Sequence, residues 1–534
     1  MKNLKKKKMK HYYKQIKVLG LALALAFTSC IKDLDQDPTI DPDSINQKSV
    51  EQDPSKTISV LAKVYGSLAL TGQKGPTDAP DISGIDEGFS SFSRLLYYMQ
   101  ELPTDNALVR WTDPGVPDFH NLNWDADNRI IEGMYYRLAQ TVSYANSFIE
   151  NNQGSSDENV KVYIAEARFI RAFSYYYLMD LFGDAPIVTE VKSSLTTTDR
   201  SSRKQVFEFI ERELKDIENT LKAPRTNEYG RVDRVAAWAL LSRMYLNAKV
   251  YTGTERYQDC VTYSEKVINS GYTLHTNYAH LFLADNDTNG AQKENIFTLN
   301  YDGLRSQTWG GTTFLVHASI GGSMKVEDFG LKGGAWEGLR TTKSLVNKFN
   351  GSGTPPTSWI DARAMFHTNG QTYEIEDVSK FEQGYAVTKF KNITSKGQAG
   401  KDPAGQIVDT DLPLIRLAEI YLNYAEAVTR GGGGSTALAL QYVNDLRSRA
   451  GATSLTSLTT ENILDERSRE LYWECFRRTD LIRYGYFTSS SYLWPFKGGV
   501  KDGTGTAEYR NLYPIPTNII LASKGVIEQN QGYK

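Results

Sequence analysis

Acids and arginines crowd the stretch from Glu461 to Arg483, where Asp465, Glu466, Arg467, Arg469, Glu470, Glu474 and Arg477 recur at steps of three and four. Two carboxylates a few ångströms apart are what a glycosidase uses. Opposite charges at this spacing also pair along a helix face, and an ion-pair network is the expectation here. The run Asp285-Asn-Asp-Thr-Asn-Gly290 opens like a calcium loop, but its twelfth position is Ile296, where a bidentate glutamate is needed. A polar turn is expected instead. His275 and His280 lie five apart without a cysteine or a His-Glu-x-x-His context, which leaves zinc unsupported. Neither a Gly-x-x-x-x-Gly-Lys-Ser/Thr loop nor a Gly-x-Ser-x-Gly elbow occurs. No catalytic residue, metal site or cofactor is therefore assigned. What remains is tryptophan: Trp111, Trp124, Trp309, Trp336 and Trp359 fall in two stretches rich in Gly, Pro and Asp, residues 72–128 and 271–412. Irregular segments that long inside a compact domain usually carry function.

The start of the chain supplies a different chemistry. Eight lysines lie between Lys2 and Lys17, no acid occurs in the first 29 residues, and an apolar run from Val18 to Phe27 leads to Thr28-Ser29-Cys30. That is an export signal, and its apolar run is roughly half the length that a bilayer-spanning helix needs. Small residues before a cysteine resemble a bacterial lipoprotein signal, residues 1–29, with lipidation at Cys30, although Phe27 stands where leucine is usual. An ordinary secretory signal is the alternative. The following Ile-Lys-Asp-Leu-Asp resembles the surface-export tag of Bacteroidetes lipoproteins. Without residues 1–29 the chain has 53 basic and 63 acidic side chains, a balance that argues against a nucleic-acid partner. Cys260 and Cys475 are the remaining cysteines, too few for a disulfide framework, so an apolar core must hold the fold. Buried thiols are expected, with a Cys260–Cys475 bridge left open.

Elements that position the tryptophans are legible from periodicity. After a polar tether, residues 30–55, the pattern predicts helices over 162–182, 204–221, 235–248 and 257–269. In the first, Tyr163, Ala167, Ile170, Phe173, Tyr177 and Leu181 mark one face, and Gly183 ends it. Leu241-Ser-Arg-Met-Tyr-Leu-Asn247 matches Leu417-Ala-Glu-Ile-Tyr-Leu-Asn423, and Trp238, Leu241, Ser242 and Tyr245 fit tetratricopeptide spacing. Such helix pairs stack into a scaffold because neither buries its apolar face alone. The fold class is mainly all-α: a tetratricopeptide-like helix-pair scaffold with long loop-rich insertions that carry little strand. One domain, 56–534, is expected, with its scaffold at about 130–270 and 413–485. Trp124, Trp238 and Trp473 are assigned to packing.

Four stretches resemble the SusD/RagB family of Bacteroidetes outer-membrane nutrient-binding lipoproteins. They are Ala165–Leu178 with the exit Leu181-Phe-Gly-Asp-Ala-Pro-Ile187; Arg416–Ala427 with Val443–Gly451; Glu466–Glu474 with Arg477–Gly485; and Tyr513-Pro-Ile-Pro516 with Gln529–Tyr533. Cys475 stands where the family commonly has glycine. The resemblance implies a non-catalytic binding protein at the cell surface, anchored in the outer membrane, that captures oligo- or polysaccharide and passes it to a SusC-like TonB-dependent transporter. Peptide ligands occur in some branches. A sugar ring offers an apolar C–H face and hydroxyl edges, so its site wants exposed aromatic rings flanked by polar side chains. The expected glycan contacts are Asp105, Arg110 and Trp111 in one segment, Tyr301, Arg305 and Trp309 sharing a rim at a spacing of four, and Trp336 uncovered between glycines. A surface glycoside hydrolase and a protein-only scaffold are the competing readings.

Overall fold

The computed structural model describes residues 56–72, 75–76, 78–191 and 198–533. The signal, Cys30 and the tether lie outside the described residues. The chain divides into two compact units, Met1–Val60 and Leu61–Lys534. Residues 56–60 of the first are described, and 57–60 begin the helix α1, Thr57–Ala69. The second unit carries α2, Phe92–Gln100; α3, Arg129–Asn152; α4, Glu158–Phe182; α5, Arg203–Ile217; α6, Arg234–Leu246; and α7, Tyr257–Ile268. It continues with α8, Gly311–Ala318; α9, Leu417–Thr429; α10, Thr436–Arg449; α11, Thr460–Leu471; and α12, Arg477–Arg483. Among the described residues no helix is long and apolar enough to cross a membrane.

Local chemistry sets the ends of these helices. Asn128 accepts hydrogen bonds from the Ile130 and Ile131 N–H groups and caps α3, and Asp157 caps α4 through the Asn159 N–H, five residues before the expected start at Val162. Gly183, at φ 81°, ends α4 as expected. Ser202 and Gln205 form a capping box on α5, which stops at Ile217, short of the expected Leu221.

The scaffold is built by packed neighbours: α3 on α4, α4 on α5, α6 on α7, and α9 against α6, α7, α10 and α11. One correction concerns α4. Its apolar periodicity implies a single buried face, yet every residue from Ala165 to Phe182 except Arg168 is buried, so α4 lies inside the scaffold. The repeated heptapeptides of α6 and α9 lie side by side, and their third positions carry opposite charges: Arg243 Nε and Nη2 donate to the Glu419 carboxylate at 2.6 and 2.7 Å. The expected helix over 461–483 is broken. Tyr472 leaves α11 in an extended conformation, Trp473 and Cys475 take φ of 64° and 67°, and α12 restarts at Arg477. Residue 475 thus has the left-handed backbone that glycine adopts freely.

Outside the scaffold, strands are short and antiparallel. They include β1, Leu108–Val109; β2, Asn295–Leu299; β3, Leu339–Arg340; and β4, Leu412–Arg416. β1 pairs with β3, and β2 with β4. The stretch 72–128 is not all loop, since α2 lies within it and is buried along its whole length.

Candidate functional site

The β1–β3 pair brings two distant tryptophans together. Past the end of β1, the Arg110 N–H donates to the Gly338 carbonyl at 2.9 Å, which sets Trp111 beside the segment Trp336–Gly338. The indole N–H of Trp111 then donates to the Trp336 carbonyl at 3.1 Å. Glycine at 338 is required here, because a Cβ would lie 2.4 Å from the Trp111 ring. The segment 336–338 is itself fastened to the end of α8: Trp336, Glu337 and Gly338 donate backbone N–H groups to His317, Ile320 and Ala318 at 3.0, 2.9 and 2.8 Å. The third indole, Trp309, comes from the turn before α8, where its backbone N–H donates to Glu87 at 3.2 Å.

The three indoles form one wall with Trp336 in the middle. Ring centroids are 6.4 Å apart from Trp111 to Trp336 and 6.2 Å from Trp336 to Trp309, and successive planes are inclined by 50° and 49°. All three are half-buried, so each keeps solvent-facing surface. Behind the wall, His317 is buried and stacks on Trp336 at 4.7 Å. Its ring nitrogens meet the carbonyls of Gly334 and Gln406. Burial lowers the imidazole pKa, and the two carbonyls oppose that shift. Arg94, buried in α2, lies 3.7 Å from the Phe89 ring centroid, 4.5 Å from Phe314 and 5.6 Å from Trp111. This guanidinium supports the ring of Trp111.

At the edge of the wall, Arg110 Nη1 and Glu337 form an ion pair at 2.6 Å, with 39% and 38% of their side chains exposed. Glu337 takes φ 49°, an unusual backbone for a residue other than glycine. Such an exposed pair adds little to stability. Both side chains offer hydrogen-bonding groups beside Trp111 and Trp336.

Two of the remaining expected contacts are corrected by burial. Asp105 is fully buried, receiving hydrogen bonds from Arg477 Nε and Nη2 at 2.6 and 2.7 Å and from the Tyr492 hydroxyl at 2.6 Å. Burial alone would raise its pKa, but the Arg477 guanidinium outweighs this and holds the carboxyl well below its usual range. Tyr301 is also buried, with its hydroxyl 3.0 Å from Ser93 Oγ and its backbone N–H on Asp411 at 2.8 Å. Arg305 is exposed on a turn, its backbone N–H donating to the Asp302 carbonyl at 3.1 Å. The spacing of four in Tyr301, Arg305 and Trp309 does not make a shared rim, because this segment is not helical. Trp359 lies in another cluster, 5.2 Å from Phe366 and 6.3 Å from Tyr385. Sequence reasoning missed Arg94, Glu337 and His317. For the first, an arginine in an otherwise apolar helix start, Phe92-Ser-Arg-Leu-Leu, was a usable signal.

Three acids at the end of α11 and just past it, Glu466, Glu470 and Glu474, are buried and tied into ion pairs. Glu466 meets Arg363, Arg447 and Arg469; Glu470 meets Arg363, Arg416 and Arg449; Glu474 meets Arg416 and Lys389. Of these pairs only Glu466–Arg469 has helical spacing, so the network is chiefly tertiary and ties α11 to β4, α10 and the 363–389 segment. Asp285 is engaged by the Ser395 N–H and hydroxyl at 2.9 and 2.6 Å. Among the described residues, no group of three or more His, Cys, Asp or Glu is arranged to hold a metal. Cys260 and Cys475 are free and buried, without a bridge, and burial pushes the Cys260 thiol up to about 12.

Comparison with known proteins accounts for this architecture. Residues 365–533 match the SusD family, and residues 99–246 match a family described as starch-binding, associating with the outer membrane. The starch-binding protein SusD of Bacteroides thetaiotaomicron is 35% identical, with 98% of this chain and 99% of that protein covered. A SusD-like protein of Bacteroides ovatus is 26% identical over 69% of this chain and 68% of its own length. Among solved structures, a SusD superfamily protein of Parabacteroides distasonis superposes with a TM-score of 0.69 at 22% identity, covering 92% of this chain and all of that one. Surface glycan-binding protein A of Bacteroides thetaiotaomicron, solved with laminarihexaose, gives 0.68 at 22% identity, covering 89% and 99%. The chain belongs to the SusD family.

Proposed function

We propose that this protein is a non-catalytic receptor for a neutral, curved α-glucan of the starch type, lipidated at Cys30 and displayed on the outer membrane. It would pass captured oligosaccharide to a SusC-like TonB-dependent transporter. The observation that carries the reading is the wall of Trp111, Trp336 and Trp309, whose two steps are nearly equal in spacing and inclination. A flat ribbon of sugar rings stacks on coplanar platforms. A chain whose successive rings are turned relative to one another suits a wall that turns about as much at each step. Stacking on aromatic faces supplies most of the affinity, and the Arg110–Glu337 pair, which is neutral overall, offers hydrogen bonds to hydroxyls without favouring a charged sugar.

The relatives support this assignment through what they are named for binding, not through a reaction. Glu466, Glu470 and Glu474, the acids of the charged stretch that tempt a catalytic reading, are tied to guanidiniums, which also favours binding over hydrolysis. Affinity electrophoresis and calorimetry on the soluble form lacking residues 1–30 test the proposal, with amylopectin and maltoheptaose set against laminarin, xylan and a peptide library. Retardation by amylopectin and heat from maltoheptaose are expected, with no new reducing ends on prolonged incubation. Binding only to xylan or peptide, or sustained release of reducing ends, overturns it.

A further inference from the structure

A second cleft, with a volume of about 490 Å³, opens along α3 and falls within the size range of small-molecule sites, roughly 300–1,000 Å³. One wall is a helical stripe, Arg129, Glu132, Tyr136, Ala139, Gln140 and Ser143. The other is the segment from Asp81 to Gly84, and Asn518 closes one end.

Its charges cancel locally. Arg129 Nη1 pairs with Glu132 at 2.6 Å, and Asp81 receives Arg137 Nη2 and Nη1 at 2.7 and 2.9 Å. Its two amide side chains are each anchored at one end only. Gln140 Oε1 accepts from Arg137 at 2.8 Å, which leaves the Gln140 amide N–H groups without a partner among the described residues. Asn518 Nδ2 donates to Glu132 at 2.6 Å, which leaves the Asn518 carbonyl oxygen in the same condition. The half-buried Tyr136 adds an aromatic ring and a hydroxyl. A neutral cleft with an aromatic ring, amide donors, an amide acceptor and a guanidinium matches hydroxyl-bearing rings better than an ion or an apolar ligand.

The cleft is also close to the tryptophan wall along the chain. Gly84 lines the cleft, and Gly88 packs so tightly on Trp309 that a Cβ there would lie 3.0 Å from the Trp309 Cβ. Four residues reach at most about 14 Å.

We propose that this cleft is a second saccharide subsite, filled by the far end of an oligosaccharide whose first rings stack on the three indoles. The proposal rests on the glycan reading above and adds a length preference to it. A trisaccharide is used up by three indoles, whereas a heptasaccharide extends beyond them, and joining two weak contacts on one ligand raises affinity without strengthening either.

Calorimetry with maltotriose and maltoheptaose on the wild type, Ala139→Trp and Gln140→Ala tests it. Ala139→Trp fills the cleft from an accessible helix position and leaves the polar network intact. The wild type should bind maltoheptaose about tenfold tighter than maltotriose. Ala139→Trp should abolish that preference and Gln140→Ala should reduce it, both with unchanged maltotriose affinity, which also reports an intact fold. If the wild type prefers maltoheptaose and both variants keep that preference, the subsite is overturned while the glucan reading stands. Equal binding of the two sugars by the wild type overturns the subsite as well. A wild type that binds neither sugar overturns the glucan reading, and the subsite falls with it.

Discussion

The tryptophan wall and the α11 charge network are built from the two kinds of residue that most invite a functional reading, and they use them in opposite ways. In the network each carboxylate is saturated: Glu470 alone receives Arg416 at 2.6 Å and Arg363 at 3.0 Å, besides Arg449, and all four side chains are buried. In the wall each indole is held from one side only. Trp111 is fixed through its N–H, Trp336 through a stacked histidine and its backbone, and Trp309 through its backbone, and a surface of each stays open. Residue type alone does not separate structure from function here. The number of unmet valences does.

The largest test of that contrast is Glu470→Ala. It removes one carboxylate from three buried guanidiniums, leaving Arg363 with Asp361 and Glu466, Arg416 with Glu294 and Glu474, and Arg449 with Glu294. Breaking such a cluster from one side costs about 3 kcal/mol. Guanidinium denaturation of the soluble form should show a loss of that size. A loss below about 1 kcal/mol would mean that the network is solvated and that the contrast with the wall is false.

Trp336→Ala should do the reverse. As the central platform it should weaken maltoheptaose binding by about 2 kcal/mol or more, some thirtyfold, in calorimetry. Its half-exposed position limits the stability cost to about 1 kcal/mol in the same denaturation assay. Trp111→Ala and Trp309→Ala, at the ends of the wall, should each lose less affinity. If all three variants unfold as readily as Glu470→Ala, the indoles are core.

How much of this was readable in the sequence follows the same division. The scaffold helices up to residue 269, the paired heptapeptides and the glycine exit at 183 follow local rules of periodicity and capping, and they appear within about four residues of where the pattern puts them. Trp336 was legible because its glycine neighbours leave an indole uncovered. Asp105 and Tyr301 were not, because their fates are decided by Arg477, Tyr492, Ser93 and Asp411, partners from 110 to 387 residues away. The charged stretch read as pairing along one helix, and the acids instead pair across elements that only the fold brings together.

The network and its surroundings should also titrate in two directions. Burial would raise Glu466, but Arg363 and its neighbours outweigh that and bring its pKa down to about 2. A lowered carboxylate adds stability above its unfolded pKa of about 4.3 and loses it as pH falls toward 2. Elsewhere, burial raises Asp411, which accepts from the Tyr301 N–H, to about 8, and Glu101 in the core goes to about 7. A raised carboxyl adds stability below its unfolded pKa, about 4, and loses it as pH climbs through the folded value. Thermal melting followed from pH 3 to 9 should therefore decline on both sides of a mildly acidic optimum. Asp411→Asn, which keeps the shape without the charge, should flatten the decline between pH 5 and 8 and leave the acid limb untouched. An unchanged alkaline limb would show that Asp411 is ionised in the fold.

The smallest expected effect concerns backbone conformation. At the wall, Gly338 is needed for space, since any Cβ would strike Trp111. Beside the network, Cys475 occupies a backbone that favours glycine, at φ 67°, yet carries a side chain, with its N–H donating to buried Glu101 at 2.8 Å. A left-handed conformation costs a residue with a Cβ about 1–2 kcal/mol. Cys475→Gly relieves that strain and forfeits a buried thiol, so its net change should stay within about 1 kcal/mol. Cys475→Ala keeps the strain and loses the sulfur, and should be the less stable of the two by about 1 kcal/mol. Side-by-side denaturation of the two variants measures the difference directly. Alanine equal to or better than glycine would mean that the thiol's packing, and not the backbone, governs residue 475.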